Sequence, residues 1–145
     1  MNASLVYSEH DDVPADAGDV VDAGLDAFNQ AAAPLHEVRR LSCFARLPSG
    51  EVVGGAVGRT WGDACELQQI WVHADHRGRG VGAELLRRFE ALAARRGCRL
   101  FYLETFNFQA PAFYRKYGYR VAEEIRAFPH GIAKFVLIRD GDAGG

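Results

Sequence analysis

The first thirty residues contain no lysine and no arginine, whereas Glu9, Asp11, Asp12, Asp16, Asp19, Asp22 and Asp26 all stand there. A secretory leader opens on a basic segment and runs into an apolar one, so no leader is expected. Long apolar runs are missing throughout, and none approaches the roughly 20 residues that a bilayer-crossing helix needs. Both absences argue for a cytoplasmic location and against a membrane partner. Cysteine is scarce: Cys43, Cys65 and Cys98 are odd in number and form no C-x-x-C, which argues against a disulfide or zinc framework and leaves them as small buried hydrophobes. His10, His36 and His73 have no short metal-ligand spacing with one another or with a cysteine, so no metal is expected. A basic excess is absent as well. With 17 Lys and Arg against 19 Asp and Glu, the net charge of −2 does not suit a protein held to nucleic acid by electrostatics.

What is present is an ordinary globular composition, 48% apolar and 25% charged over 145 residues, enough for one core and too little for two. One domain over 1–145 is expected, with a frayed tail at 140–145. The pattern alternates between strand and helix. "SLVYS" reads as a first strand, and residues 15–33 as an amphipathic helix with an acidic outer face. "RLSCFARL" and "EVVGGAVGRT" flank the turn "PSG", and "ELQQIWVH" is a further strand. From Val81 the period becomes helical, with Val81, Leu85, Phe89 and Leu92 on one stripe and Arg87, Arg88, Arg95 and Arg96 on a solvated face with glutamate partners. "RLFYLET", a short helix "APAFYRKY", "YRVAEEI" and "AKFVLIRD" complete the chain, with His130 in the turn "FPHG".

The glycines concentrate where strand 66–73 meets helix 81–96. Bare backbone before a helix N-terminus approaches phosphate oxygens closely, and the helix dipole adds roughly half a positive charge there, so "HADHRGRGVGAELL" reads as a phosphate-binding loop. Gly78-Arg79-Gly80-Val81-Gly82-Ala83 also satisfies the dinucleotide pattern G-x-G-x-x-[GA]. That reading fails on context. Ala74, Asp75, His76 and Arg77 separate the strand from the first glycine, two arginines crowd the loop, and no second parallel half exists to hold a dinucleotide. No G-K-[ST] follows, which argues against a Walker loop.

Read from Arg77, the run Arg77-Gly78-Arg79-Gly80-Val81-Gly82 resembles the [QR]-x-x-G-x-[GA] loop of the GNAT superfamily of N-acetyltransferases. "NFQAPAFYRKYGYR" is similar to a second motif of that family, with Asn107, Ala110, Tyr114, Lys116, Gly118 and Tyr119 in place. The resemblance spans residues 40–139; the first forty match only as a strand and an acidic helix. It implies an α/β fold with a mixed, mostly antiparallel sheet of six to seven strands, central strands splayed apart, and helices on both faces. It also implies acetyl-CoA as co-substrate, bound by the main chain around Ile70, Trp71 and Val72, by the loop Arg77, Gly78, Arg79, Gly80, Val81 and Gly82, and by Asn107, Ala110, Tyr114 and Lys116. A homodimer is common among similar proteins.

Acetyl transfer to an amine needs a base for the ammonium proton, donors for the carbonyl oxygen and an acid for the departing thiolate. Tyr114 is the candidate acid. Glu66, with ten residues between it and Arg77, and Glu104, at the end of the next strand, are candidate bases, with a water relay as the third route. Strand alternation puts Glu66, Gln68, Ile70 and Val72 on one face. No cysteine has a histidine partner, so direct attack in a ternary complex is expected rather than a covalent enzyme. The acceptor is a small-molecule or peptide amine. The rival reading is a CoA-binding regulatory module without turnover.

Overall fold

The computed structural model describes residues 4–141. The chain divides into two compact units, Met1–His36 and Glu37–Gly145. In the first, helix α1 (Ala15–Ala32) forms where the sequence predicts it, and none of its residues is buried. The expected strand at 4–8 is absent. A strand exists only as one side of a hydrogen-bonded ladder, and alternation in five residues cannot supply the other side.

The second unit is a six-stranded sheet with the order β1-β2-β3-β4-β6-β5. Its strands are β1 (Arg39–Arg46), β2 (Val52–Trp61), β3 (Ala64–Val72), β4 (Leu100–Phe106), β5 (Arg120–Ile125) and β6 (Lys134–Asp140). Helix α2 (Val81–Arg95) joins β3 to β4, and α3 (Pro111–Lys116) joins β4 to β5. All neighbouring strands are antiparallel except β3 and β4. Residues 140 and 141 depart from the expected frayed tail: Asp140 ends β6, and the Gly141 N–H donates to the Arg99 carbonyl. Residues 142–145 of that expectation lie outside the described residues.

Helix α2 packs on β1, β2 and β3 and buries Leu85, Leu86, Phe89 and Ala93. The predicted stripe is therefore broadened, with Val81 and Leu92 at its half-buried margins. A helix pressed onto a sheet covers more than one row of side chains. Phe89, Leu86, Leu103, Leu137 and Cys65 are the largest fully buried side chains. Each large apolar one contributes about 1.5–3 kcal/mol by leaving water. Arg96 departs from the solvated face: its guanidinium donates to the carbonyls of Arg39 and Arg40 at 3.3 and 3.0 Å and to Thr60 Oγ1 at 3.1 Å, tying the end of α2 to the sheet. Arg87 and Arg88 do pair within the helix, both with Glu84, and these bonds hold its carboxyl down at a pKa of about 2.

Two features of β3 position the site. The first is a bulge: Val57 faces Gln69 while Gly58 faces Leu67, leaving Gln68 extra. An extra residue reverses the alternation beyond it. Ile70 and Val72 therefore share the core side with Cys65 and Leu67, where they pack against the buried cluster. Glu66 is not on their face, contrary to simple alternation. The bulge also needs Gly58. A Cβ there would lie 2.0 Å from the Glu66 carbonyl oxygen and 2.6 Å from the Phe89 ring, and backbone cannot yield as a side chain can. Gly58→Ala is expected to cost about 3 kcal/mol or more in urea unfolding, the upper scale of core overpacking.

The second feature is the fork. Strands β3 and β4 pair only from Ala64 to Glu66 against Leu100 to Tyr102. Beyond those residues they diverge, as the expectation of splayed central strands requires. Across the fork, Glu90 of α2 accepts from the Tyr119 hydroxyl at 2.7 Å and from Arg139 at 3.1 Å. All three side chains are largely shielded, so the helix behind the glycine loop is tied to β6 and to the chain that follows α3.

Candidate active site

The divergence of β3 from β4 leaves the β4-facing edge of residues 67–72 without a ladder. Unpaired main-chain groups on such an edge are donors and acceptors for a ligand that enters the fork. A cleft of about 610 Å³ opens there, with Ile70, Trp71 and Val72 on one wall and Phe108, Phe113 and Tyr114 on the other. A groove of about 330 Å³ adjoins it, lined by His76, Gly80, Val81, Lys116 and Tyr117. Val72, Arg77, Gly78, Gly82 and Phe113 belong to both, so the two spaces form one path from the fork to the N-terminus of α2.

The loop is rigid for local reasons. Gly78 and Gly80 have φ of +75° and +79°, which L side chains rarely adopt. Arg77 Nε donates to the Val72 carbonyl at 2.9 Å and folds the loop back on the end of β3. His73 Nδ1 accepts from the Asp75 N–H at 3.0 Å, so this ring caps the intervening 3-10 turn (Ala74–His76). Gly82 plays another part. It lies in the first turn of α2, and a Cβ there would meet Phe113 and Val72 only at 3.6–3.8 Å, an ordinary contact. The fold thus tolerates a side chain at 82, but the side chain would project into the path.

Tyr114 is buried, only 7% exposed, with its ring edge-on to Phe113 and Tyr119 and its side chain lining the cleft. Burial pushes its phenol up to a pKa of about 12. Ala110, at the entry to α3, has φ of +60°, a strained conformation for a residue with a Cβ, and it also lines the cleft.

The two carboxylates lie beside the fork, away from α2. Glu66 is one of the last β3 residues paired with β4, opposite Tyr102, and its Oε1 accepts from Arg59 Nε at 2.8 Å. Glu104 is more exposed and pairs with Lys134 at 3.1 Å. Tyr102 has its phenol pKa raised, first by burial and then by Glu66.

Most of the sequence-derived binding residues converge. Ile70, Trp71, Val72, Arg77, Gly78, Gly82, Ala110 and Tyr114 line the cleft. Gly80, Val81 and Lys116 line the groove. Arg79 faces a separate depression beside Phe44 and Arg46, and the Asn107 amide is occupied with the Gly131 carbonyl at 2.9 Å, fastening the turn that holds His130. Sequence reasoning missed Phe108, Phe113 and Tyr117. An aromatic residue inside a motif reads by default as core, and only the fork shows which of these rings it leaves facing a cavity.

A fork between parallel strands, continuing into a glycine loop at a helix N-terminus, is the arrangement that the resemblance to acetyltransferases implies. The model of the GNAT acetyltransferase family matches residues 10–119. The chain belongs to the GNAT family. It is an acetyl-CoA-dependent acetyltransferase. A blasticidin-S acetyltransferase of Streptomyces morookaense is 38% identical over 111 residues, covering 74% of this chain and 82% of the relative. An acetyltransferase of Agrobacterium fabrum is 34% identical over 95 residues, 66% of this chain and 69% of the relative. Among solved structures, an acetyltransferase from Bacillus cereus superposes with a TM-score of 0.76 at 25% identity, covering 92% of this chain and 97% of that one.

Two cysteines of the GNAT chain are shut away from solvent. Cys65 and Cys98 are buried, and burial pushes the Cys65 thiol up to a pKa of about 12, far from the thiolate a nucleophile needs. No helix among the described residues is long and apolar enough to cross a membrane.

Proposed function

We propose that residues 1–145 act as a single acetyltransferase domain that moves the acetyl group of acetyl-CoA to an amine by direct attack in a ternary complex. The observation that carries this reading is the continuous path from the fork, past Tyr114, to the glycine loop. A space of that form accepts a chain with an anionic end. Acetyl-CoA supplies the activated acyl group, a thioester.

The protein's own groups then have separable tasks. Main-chain N–H groups at Gly80, Val81 and Gly82, with Arg77 and Lys116 nearby, take the phosphates. The free edge of β3 around Ile70, Trp71 and Val72 aligns the pantetheine arm and donates to the acetyl carbonyl. Tyr114 delivers its proton to the sulfur. The proton of the incoming ammonium passes through water at the base of the fork to Glu66, which stands at the last rung of the ladder, two positions nearer its closed end than Glu104. Arg59 holds Glu66 in place by one oxygen only.

Glu66→Gln is expected to lower kcat/KM about 100-fold, the low end of general-base effects, with Glu104→Gln changing it less than threefold. Parent-like rates in both variants would leave water as the sole carrier. A thiol-release assay over an amine panel tests the activity itself. Blasticidin S heads that panel, because a relative at 38% identity is named for it, which supports a small-molecule acceptor. Tight CoA binding without thiol release from any amine would show a regulatory module instead.

A further inference from the structure

We propose that the acceptor carries a planar aromatic or heteroaromatic ring, which docks on Phe108 across the fork from Trp71. The inference rests on the acetyl-transfer reading and names the acceptor class for that same site.

Phe108 and Trp71 line the same cleft from opposite arms, one on the chain that follows β4 and the other on β3. They are 67% and 50% exposed, although both are large and apolar. Large exposed rings at the mouth of a cavity forgo burial that a bound ring restores. The Phe108 ring already has a partner on one side. It stacks on Phe106 at 5.3 Å with an interplanar angle of 6°, so one face is occupied and the other is open. Phe106 is held in turn by the edge of Phe128 at 5.8 Å and by the Lys134 ammonium at 5.7 Å, which Glu104 anchors. A ligand ring laid on Phe108 extends an existing stack, and little side-chain freedom is lost in ordering it.

The bulge in β3 gives the other wall. By reversing the alternation at Gln68 it sends Ile70 and Val72 to the core and leaves Trp71 on the side away from α2, the side of Glu66. Without that extra residue an aliphatic side chain would occupy this wall. An amine attached to a ring between these walls enters at the end of the cleft that Ile70 and Tyr114 line. Flat rings suit this slot, because an aromatic side chain stands on each side of it.

The test compares 2-phenylethylamine with n-hexylamine, equal in charge and similar in length, by calorimetry on the CoA-saturated protein, with thiol release measured in parallel. The expected result is binding about tenfold tighter for the ring-bearing amine, on the scale of one aromatic pair. Phe108→Ala should bring the ratio of the two Kd values near one, and Phe108→Trp should preserve it; thermal unfolding checks that both variants fold. A parent ratio within twofold, or a ratio that Phe108→Ala does not change, overturns the inference. Thiol release from both amines at equal efficiency likewise overturns it while the acetyl-transfer reading stands. Absence of thiol release from every amine overturns that reading alone, since the Kd ratio still decides whether the slot selects rings.

Discussion

Tyr114→Phe lowers kcat by roughly 10- to 1000-fold, about 1.4–4 kcal/mol of barrier, and leaves the affinity for CoA unchanged. The ring of Tyr114 packs against Phe113 and Tyr119, and phenylalanine retains that packing. Only the phenol O–H, the proposed proton donor, is lost. The sign of the pH dependence follows from burial, which disfavours the phenolate and pushes the pKa up to about 12. An acid works below its pKa, so the Tyr114 proton is present throughout the range from pH 7 to about 10 and its loss cannot produce an alkaline limb there. The deficit of Tyr114→Phe should therefore be constant across that range, read as kcat against pH for the parent and the variant. A variant within twofold of the parent would reduce Tyr114 to a packing residue, and a deficit in CoA affinity with normal kcat would make it a binding group.

Gly82→Val weakens CoA binding by about 2 kcal/mol or more, roughly 30-fold, without unfolding the protein. Two of the loop glycines answer to backbone geometry, because Gly78 and Gly80 have positive φ. Gly82 answers to space. Its missing side chain borders both the cleft and the groove, and a Cβ finds no close contact within the protein. On the proposed reading, a branched side chain there fills the volume through which a phosphate would reach the helix N-terminus, and the N–H donors of that turn would be screened from it. Calorimetry with CoA gives the affinity and thermal unfolding the control. Unchanged affinity in a folded Gly82→Val protein would move the phosphate site away from this loop.

The order of elements and both binding motifs could be read in the sequence because they depend on neighbours. Helical period from Val81, glycine where φ turns positive, and Tyr114 inside a short amphipathic helix are facts about a few consecutive residues. From them follow the loop, the helix behind it and the acetyltransferase family. What they could not supply is pairing. Whether residues 4–8 form a strand depends on a partner ladder, which five residues do not encode. Whether Glu66 shares a face with Ile70 depends on the bulge at Gln68, which arises only when β3 is laid against β2 and Gly58 admits the Glu66 carbonyl beside Phe89. Arg96 leaves the solvated face because the carbonyls of Arg39 and Arg40, more than fifty residues away in sequence, come within reach of its guanidinium. The sequence by itself determined the glycine loop, the helix behind it and the family, and it put Tyr114 forward as the proposed proton donor. Tertiary structure alone decided which side chains meet at the fork, because a one-residue change of register reverses every face beyond it, and register is set by contacts between strands rather than within them.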